Sequence, residues 1–269
     1  MLLRKLPLVL YLLSEFNMVI IKNSEQLKLM REAGRITAEA LLVAEEAIRP
    51  GICTKDVDTK IRRYIEKCGA TPSFLGYGGF PGSACISLNN EVIHGIPSDR
   101  RIINEGDIVK IDVGARFRGY NGDSARTYAV GKVSDEALKL IEVTKMSFYE
   151  AMKAARAGNR VGDVGSAVER FVISHGFSVV RDYVGHGVGA ALHEEPEIPN
   201  FGTPGRGVRL YPGMTLAIEP MVNVGSHNVK VLKDGWTVIT ADGKLSAHYE
   251  NSILITDSDP VILTDAGAR

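Results

Sequence analysis

Six side chains carry the chemistry available to this sequence. Asp112 and Asp123 lie eleven residues apart in KIDVGARFRGYNGDSART, and His186 and His193 seven apart in DYVGHGVGAALHEEP. Glu219 follows in LAIEPMV and Glu250 in AHYENSI. The four acids stand in apolar, strand-like surroundings. An ionised carboxylate on a buried strand costs several kcal/mol unless it is paired or bound to a metal. Four carboxylates and two imidazoles cannot neutralise one another, but one or two divalent cations can neutralise them.

Carboxylate oxygen and imidazole nitrogen suit Mn, Fe(II), Co or Zn. Two such ions about 3.5–4 Å apart share a bridging water and at least one bridging carboxylate. Their charge lowers the pKa of that water, and one of them polarises the attacked carbonyl. A nearby carboxylate can shuttle the proton to the leaving group, and a neutral His can donate to the developing oxyanion. Each residue also has a plainer reading. Asp112 could be an ion-paired core residue, and Asp123, after Asn121-Gly122, a turn residue. His193 could be an exposed loop residue, Glu219 an edge-strand residue, Glu250 a solvent-facing one by alternation, and His94 in VIHG a structural histidine. His186 is hardest to explain as packing, because the flanking Gly185 and Gly187 let backbone approach a neighbour closely. Spacing alone therefore supports a metal site. No GxSxG elbow is present for serine chemistry. GYGGFPG is neither GxGxxG between a strand and a helix nor followed by a P-loop lysine. The Arg100-Arg101 pair reads as solvated surface.

The elements that must position these residues fit into 269 residues, enough for one large domain or two modest ones. A formal net charge of zero argues against a general nucleic-acid or membrane field. Cys53, Cys68 and Cys85 form an odd set without a CxxC pair, which points to a reducing compartment. In residues 1–17, Arg4 and Lys5 precede an apolar run from Leu6 to Leu13. That run is shorter than the ~20 residues a membrane helix needs and lacks a small-residue cleavage site after it. It reads as an extension outside the core, with the domain beginning at Met18.

Asn23 and Gln26 form a capping pair for a helix whose stripe is Leu27, Met30, Ile36, Ala40, Leu41, Ala44 and Ile48. Thr54 caps a second helix that Gly69 ends. Strands are expected at Ala84 to Leu88, Glu91 to Ile93, Ile108 to Val113 and Ser124 to Val130. Ser134 caps a helix running to Gly158, and Asp163 begins another. A strand after Gly176 leads to the His motif. A further strand ends at Glu219-Pro220, and a meander turns at Asp234-Gly235. Helix–helix–strands thus occurs twice, over residues 23–131 and 132–256. If the halves face each other, Asp112 and Asp123 come from one, and His186, Glu219 and Glu250 from the other. Such junctions are where pockets form.

With these motifs in order, the chain resembles the type I methionine aminopeptidases of peptidase family M24, from about Met18 to its end. NNEVIHGIP, GDIVKIDVG, NGDSARTYAVG, GHGVGAALHEEP, TLAIEPMVN, DGWTVIT and SAHYENSI carry the resemblance. It implies an α/β (α+β) pita-bread fold: a single catalytic domain over 18–269, two pseudo-symmetric halves around a curved antiparallel sheet. It implies Asp112, Asp123, His186, Glu219 and Glu250 as ligands of two divalent ions, with Asp123 and Glu250 bridging and Glu219 also serving as general acid/base. His94 and His193 would contact substrate, His193 at the scissile carbonyl. Tyr77, Phe80, Cys85 and Trp236 match the methionine side-chain pocket, while Phe74 and Leu192 stand where the family commonly has Cys and Phe. A monovalent cation near Asn89 and Ser246 is a further implication. The implied substrate is the N-terminus of a nascent polypeptide with a small second residue. The implied setting is a cytoplasmic monomer in transient contact with the ribosome, without nucleic-acid specificity or membrane attachment.

Three rivals keep the fold. An X-Pro aminopeptidase or prolidase would carry a large extra N-terminal domain. A pita-bread binding protein, for example one docking on ribosomes, would tend to lose metal ligands, as would a creatinase-like enzyme.

Overall fold

A computed structural model describes residues 19–266; the expected extension at 1–17 and the start at Met18 lie outside the described residues. Helix α1 spans Ser24–Ala47. Its N-terminus is closed as the sequence predicts: Gln26 N–H donates to Asn23 Oδ1 (3.0 Å) and Asn23 N–H to Gln26 Oε1 (2.8 Å). Helix α2 spans Thr54–Lys67. Thr54 is its first residue and not its cap. Its hydroxyl is used elsewhere, accepting from Ser98 N–H (2.9 Å) and reaching Ser98 O (3.1 Å). Together α1 and α2 bury Ile36, Leu41, Ile61 and Ile65 against Val109, Ile111 and Val113.

The last three residues belong to the strand Ile108–Phe117, which pairs with Tyr120–Ala129 in a hairpin of two ten-residue strands. Both strands are longer than expected because the turn falls at Arg118 and Gly119, at φ 45° and 92°. Asp123 is therefore mid-strand, opposite Gly114, and its turn reading falls. On the edge away from Tyr120–Ala129, Ala84–Leu88 pairs with the same central strand.

Helices α3 (Asp135–Ala154) and α4 (Val161–Ser174) serve the second half. Ser134 Oγ accepts from Ala137 N–H (3.2 Å), and α3 stops before Gly158. Asp163 lies three residues into the α4 terminus and caps it by accepting from Arg160 N–H (2.8 Å). Phe148, Val164, Val168 and Val172 pack against Leu216, Ile218 and Ile253. The antiparallel ladders fall into four groups. One runs Val261–Ile262, Asn251–Leu254, Thr215–Ile218, Gly185–Gly187, Glu194–Ile198 in spatial order. The expected C-terminal meander is distributed. Val229–Val231 and Val238–Thr240 do turn at Asp234-Gly235. Ser246–His248, however, pairs with Met221–Asn223, and Asn251–Leu254 pairs with Thr215–Ile218. Arg101 is also not surface. Its guanidinium donates to Ile86 O (3.0 Å) and Ile96 O (2.7 Å) and pairs with Glu91. No helix of the described residues is long and apolar enough to cross a membrane.

The α1–hairpin contact is close enough to require glycine at Gly122. A Cβ there would stand 2.7 Å from Gly34 N and 2.9 Å from Ala33 C, both helix backbone. Gly122→Ala should therefore cost about 1–3 kcal/mol through overpacking. A urea titration is expected to show a lower midpoint at unchanged slope.

Candidate metal centre

Alternation along the hairpin aims the acids. Asp112 faces Ala125 and Gly114 faces Asp123, so all four residues share one face of the ladder, and Asp112 and Asp123 are diagonal neighbours. Cys85, opposite Asp112, lies on the same face. The opposite face is the one that packs on α1 and α2. The second half supplies His186 from Gly185–Gly187, Glu219 from the break after Thr215–Ile218, and Glu250 from the break before Asn251–Leu254. Pro220 makes the first break, since it cannot donate to a ladder.

Main-chain bonds hold the halves together at this point. Glu250 N–H donates to Ala125 O (2.9 Å), and Ser124 Oγ donates to Glu250 O (2.7 Å). Asp123 N–H donates to Ser252 Oγ, which in turn donates to Asp123 O (both 2.9 Å).

The five expected ligands converge. Ligand atoms of Asp123, His186 and Glu250 all lie within 4.8 Å of one another. His186 Nε2 is 3.5 Å from Glu219 Oε1 and 3.9 Å from Asp123 Oδ2. Nδ1 of His186 lies 2.8 Å from Gly187 O, which fixes the tautomer with the proton on Nδ1 and leaves Nε2 as a free donor for a metal. Asp112 Oδ1, Asp123 Oδ1 and Glu250 Oε1 are buried without a hydrogen-bond partner. Orphaned acceptors grouped around a free imidazole nitrogen fit divalent cations, and the oxygen-rich donor set suits ions of the Mn, Fe(II), Co or Zn kind.

The electrostatics agree. Burial pushes Asp112 up to about 7. Burial, reinforced by the neighbouring carboxylates, raises Asp123, Glu219 and Glu250 well above the usual carboxylate range. Desolvation lowers His186 to about 3 and His94 to about 4, and it also lowers His193.

A cavity of about 630 Å³ opens over this cluster. Its apolar wall is Phe74, Phe80, Cys85 and Leu192, with Ile96 and Trp236 packed on them. Phe80 and Trp236 meet edge to face at 5.2 Å. Tyr77 stands at the rim, its hydroxyl 2.7 Å from His193 Nδ1. The His193 ring is 4.3 Å from that of His186, and the next residue, Glu194, is fixed by a buried ion pair with Lys22 (2.5 Å). His94 takes φ 58°, uncommon for a non-glycine residue, and its ring meets Tyr183 at 5.8 Å and Trp236 at 6.2 Å. Every predicted site residue named for metal or substrate thus borders one cavity.

Two residues were missed. Tyr183 lines the cavity. His248 is buried, with Nε2 3.7 Å from Glu219 Oε2 and 3.9 Å from Glu250 Oε2, and neither ring nitrogen has a hydrogen-bond partner. The signal was its position two residues before Glu250, which in extended chain is the same face. Asn89 and Ser246 do meet, Ser246 N–H donating to Asn89 O at 3.1 Å. The same oxygen accepts from Lys110 Nζ at 2.7 Å, where the resemblance implied a monovalent cation.

Comparison with known proteins now decides the family. The model of metallopeptidase family M24 matches residues 28–257. The chain belongs to the M24 metallopeptidase family. A methionine aminopeptidase of Clostridium acetobutylicum is 53% identical over 247 residues, covering 92% of this chain and 99% of that protein. Methionine aminopeptidase 1 of Bacillus subtilis is 52% identical over the same shares. The crystal structure of the Thermotoga maritima methionine aminopeptidase superposes with a TM-score of 0.91 at 46% identity, covering 92% of this chain and all of that one. The prolidase of Pyrococcus furiosus shares the pita-bread fold less closely, at a TM-score of 0.75 and 26% identity, and this chain spans 66% of it.

A pH dependence follows for this M24 site. Raised carboxylates hold protons near neutrality in the metal-free protein, and a cation favours their ionised form, so binding must expel protons. Mn(II) affinity is expected to rise between pH 6 and 8. Titration calorimetry in buffers of different ionisation enthalpy should show net proton release, whereas uptake would contradict the assignment.

Proposed function

We propose that this chain is a dinuclear metal-dependent aminopeptidase that removes the initiator methionine from nascent polypeptides whose second residue is small. The observation that carries this reading is the cluster of five ligands at the floor of an apolar cavity whose walls bear His94 and His193. We place its work in the cytoplasm, as a monomer acting at ribosome-borne N-termini.

In this reading Asp112, Asp123, His186, Glu219 and Glu250 would hold two divalent ions. When bound, the ions supply the charge that ionises a water near neutral pH and polarises the scissile carbonyl. Glu219, which lines the cavity beside His186 and His248, would serve as general acid/base toward the departing amine. His193 donates from Nε2 to the carbonyl oxygen as it gains charge. A neutral ring has one N–H, and Nδ1 can accept from the Tyr77 hydroxyl, which leaves the proton on Nε2 for this use. His94, kept neutral by burial, donates to the substrate backbone. Phe80, Cys85 and Trp236, with Tyr77 at the rim, receive the methionine side chain. A flexible thioether packs well on aromatic edges.

The decisive assay is a pair of peptides with Co(II) or Mn(II) titrated in. Met-Ala-Ser should be cleaved and Ala-Pro peptides left intact; preference for the proline peptide would move the assignment to the prolidase branch. Two substitutions separate the roles of the ligands and the histidines. Asp112→Asn should abolish activity and weaken metal binding while the circular dichroism spectrum persists. His193→Ala should lower kcat by about 10²–10³-fold, the worth of an oxyanion donor, with metal content unchanged. Loss of metal from that variant would show that His193 is a ligand.

A further inference from the structure

Among the described residues, Lys110 is the largest fully buried side chain, 1% exposed. It stands on Ile108–Phe117 between Ser87 and Thr127 of the neighbouring strands. None of the ion pairs among the described residues includes it. The two acids that act on it, Glu91 and Asp107, are held by other donors. Glu91 accepts from Leu88 N–H (2.6 Å) and Arg101. Asp107 accepts from Asn89 Nδ2 and Asn104 N–H (both 2.8 Å). The one hydrogen bond of its amino group is to Asn89 O, at 2.7 Å. A buried Lys is normally paired with a carboxylate. This one is held instead by a backbone carbonyl, the kind of ligand that replaces the hydration shell of a monovalent cation.

Asn89 O has nothing left to offer an ion. A carbonyl oxygen has two lone pairs. One accepts Ser246 N–H from the second half, and the other accepts Lys110 from the first. Ser246 Oγ is turned away, donating to Val222 O at 3.2 Å. The residues present therefore do not fit the monovalent site that the family resemblance implies.

We propose that the Lys110 amino group stands where a monovalent cation would sit, so that this chain takes up neither Na⁺ nor K⁺ between Asn89 and Ser246. The test is thermal unfolding of the metal-loaded protein in KCl, NaCl and tetramethylammonium chloride at equal ionic strength. The last cation is too large for any buried site of this kind. The unaltered protein should melt at one temperature in all three. A saturable rise in KCl or NaCl of about 3 °C or more, the size expected from an ion at several times its dissociation constant, would overturn the proposal. Lys110→Ser removes the amino group and opens its place. That variant should melt lower in tetramethylammonium and recover part of the loss in KCl or NaCl. A folded Lys110→Ser whose melting is the same in every salt would show that the position is no cation cradle, and would also overturn it. If the variant does not fold in any salt, the salt series on the unaltered protein decides alone.

Discussion

Four buried carboxylates gathered with His186 around one cavity set the terms for the rest of this structure. Each would gain by moving apart or reaching water. The fold prevents both. Asp112 and Asp123 are diagonal neighbours on a hairpin whose other face is committed to α1 and α2. Glu250 cannot withdraw, because its amide and carbonyl are bonded to Ala125 and Ser124 of that hairpin. Asp123 is tied to Ser252 in both directions. Burial, reinforced at Asp123, Glu219 and Glu250 by the neighbouring carboxylates, raises the proton affinity of all four acids. A divalent charge favours their ionised form, so binding it releases the protons that burial retains.

The same rigidity divides labour between two histidines whose rings are 4.3 Å apart. His186 commits Nδ1 to its neighbour's carbonyl and presents Nε2 inward to the acids. His193 engages Tyr77 through Nδ1 at the rim, on a segment fixed by the Lys22–Glu194 ion pair. Each imidazole is thus oriented by what its other nitrogen touches, which is how proteins set tautomer and direction. Desolvation lowers both below the usual imidazole range, which favours the uncharged ring.

Much of this was legible in the sequence because it rests on local rules. The Asn23–Gln26 cap, the helix stripes, the break at Glu219-Pro220 and the cost of burying charged acids are all written within a few residues. The misreadings were long-range. The hairpin turns at Arg118-Gly119, while Gly114 and Gly122 serve close packing: Gly122 meets α1 and Gly114 meets the Phe74 ring. Nothing local says that Ser246–His248 and Asn251–Leu254 leave Val238–Thr240 for different partners. Arg101 looked like surface because its acceptors, Ile86 O and Ile96 O, are backbone atoms with no sequence signature. Lys110 was passed over for the same reason, since its acceptor, Asn89 O, is also a backbone atom.

The two departures from the pattern that the resemblance implies, Phe74 and Leu192, both line the cavity. Phe74, where a Cys is common, is larger; Leu192, where a Phe is common, is smaller. Both belong to one apolar cluster with Phe80 and Cys85. The larger ring also needs room behind it. Gly114 provides that room, since a Cβ at that position would stand 2.7 Å from Phe74 Cε1. Gly114 lies two residues from Asp112 on the same face and opposite Asp123. The strand that presents the acids therefore also seats the pocket wall. With any Cβ at position 114 the Phe74 ring would have to move, so the glycine and the ring at this wall go together.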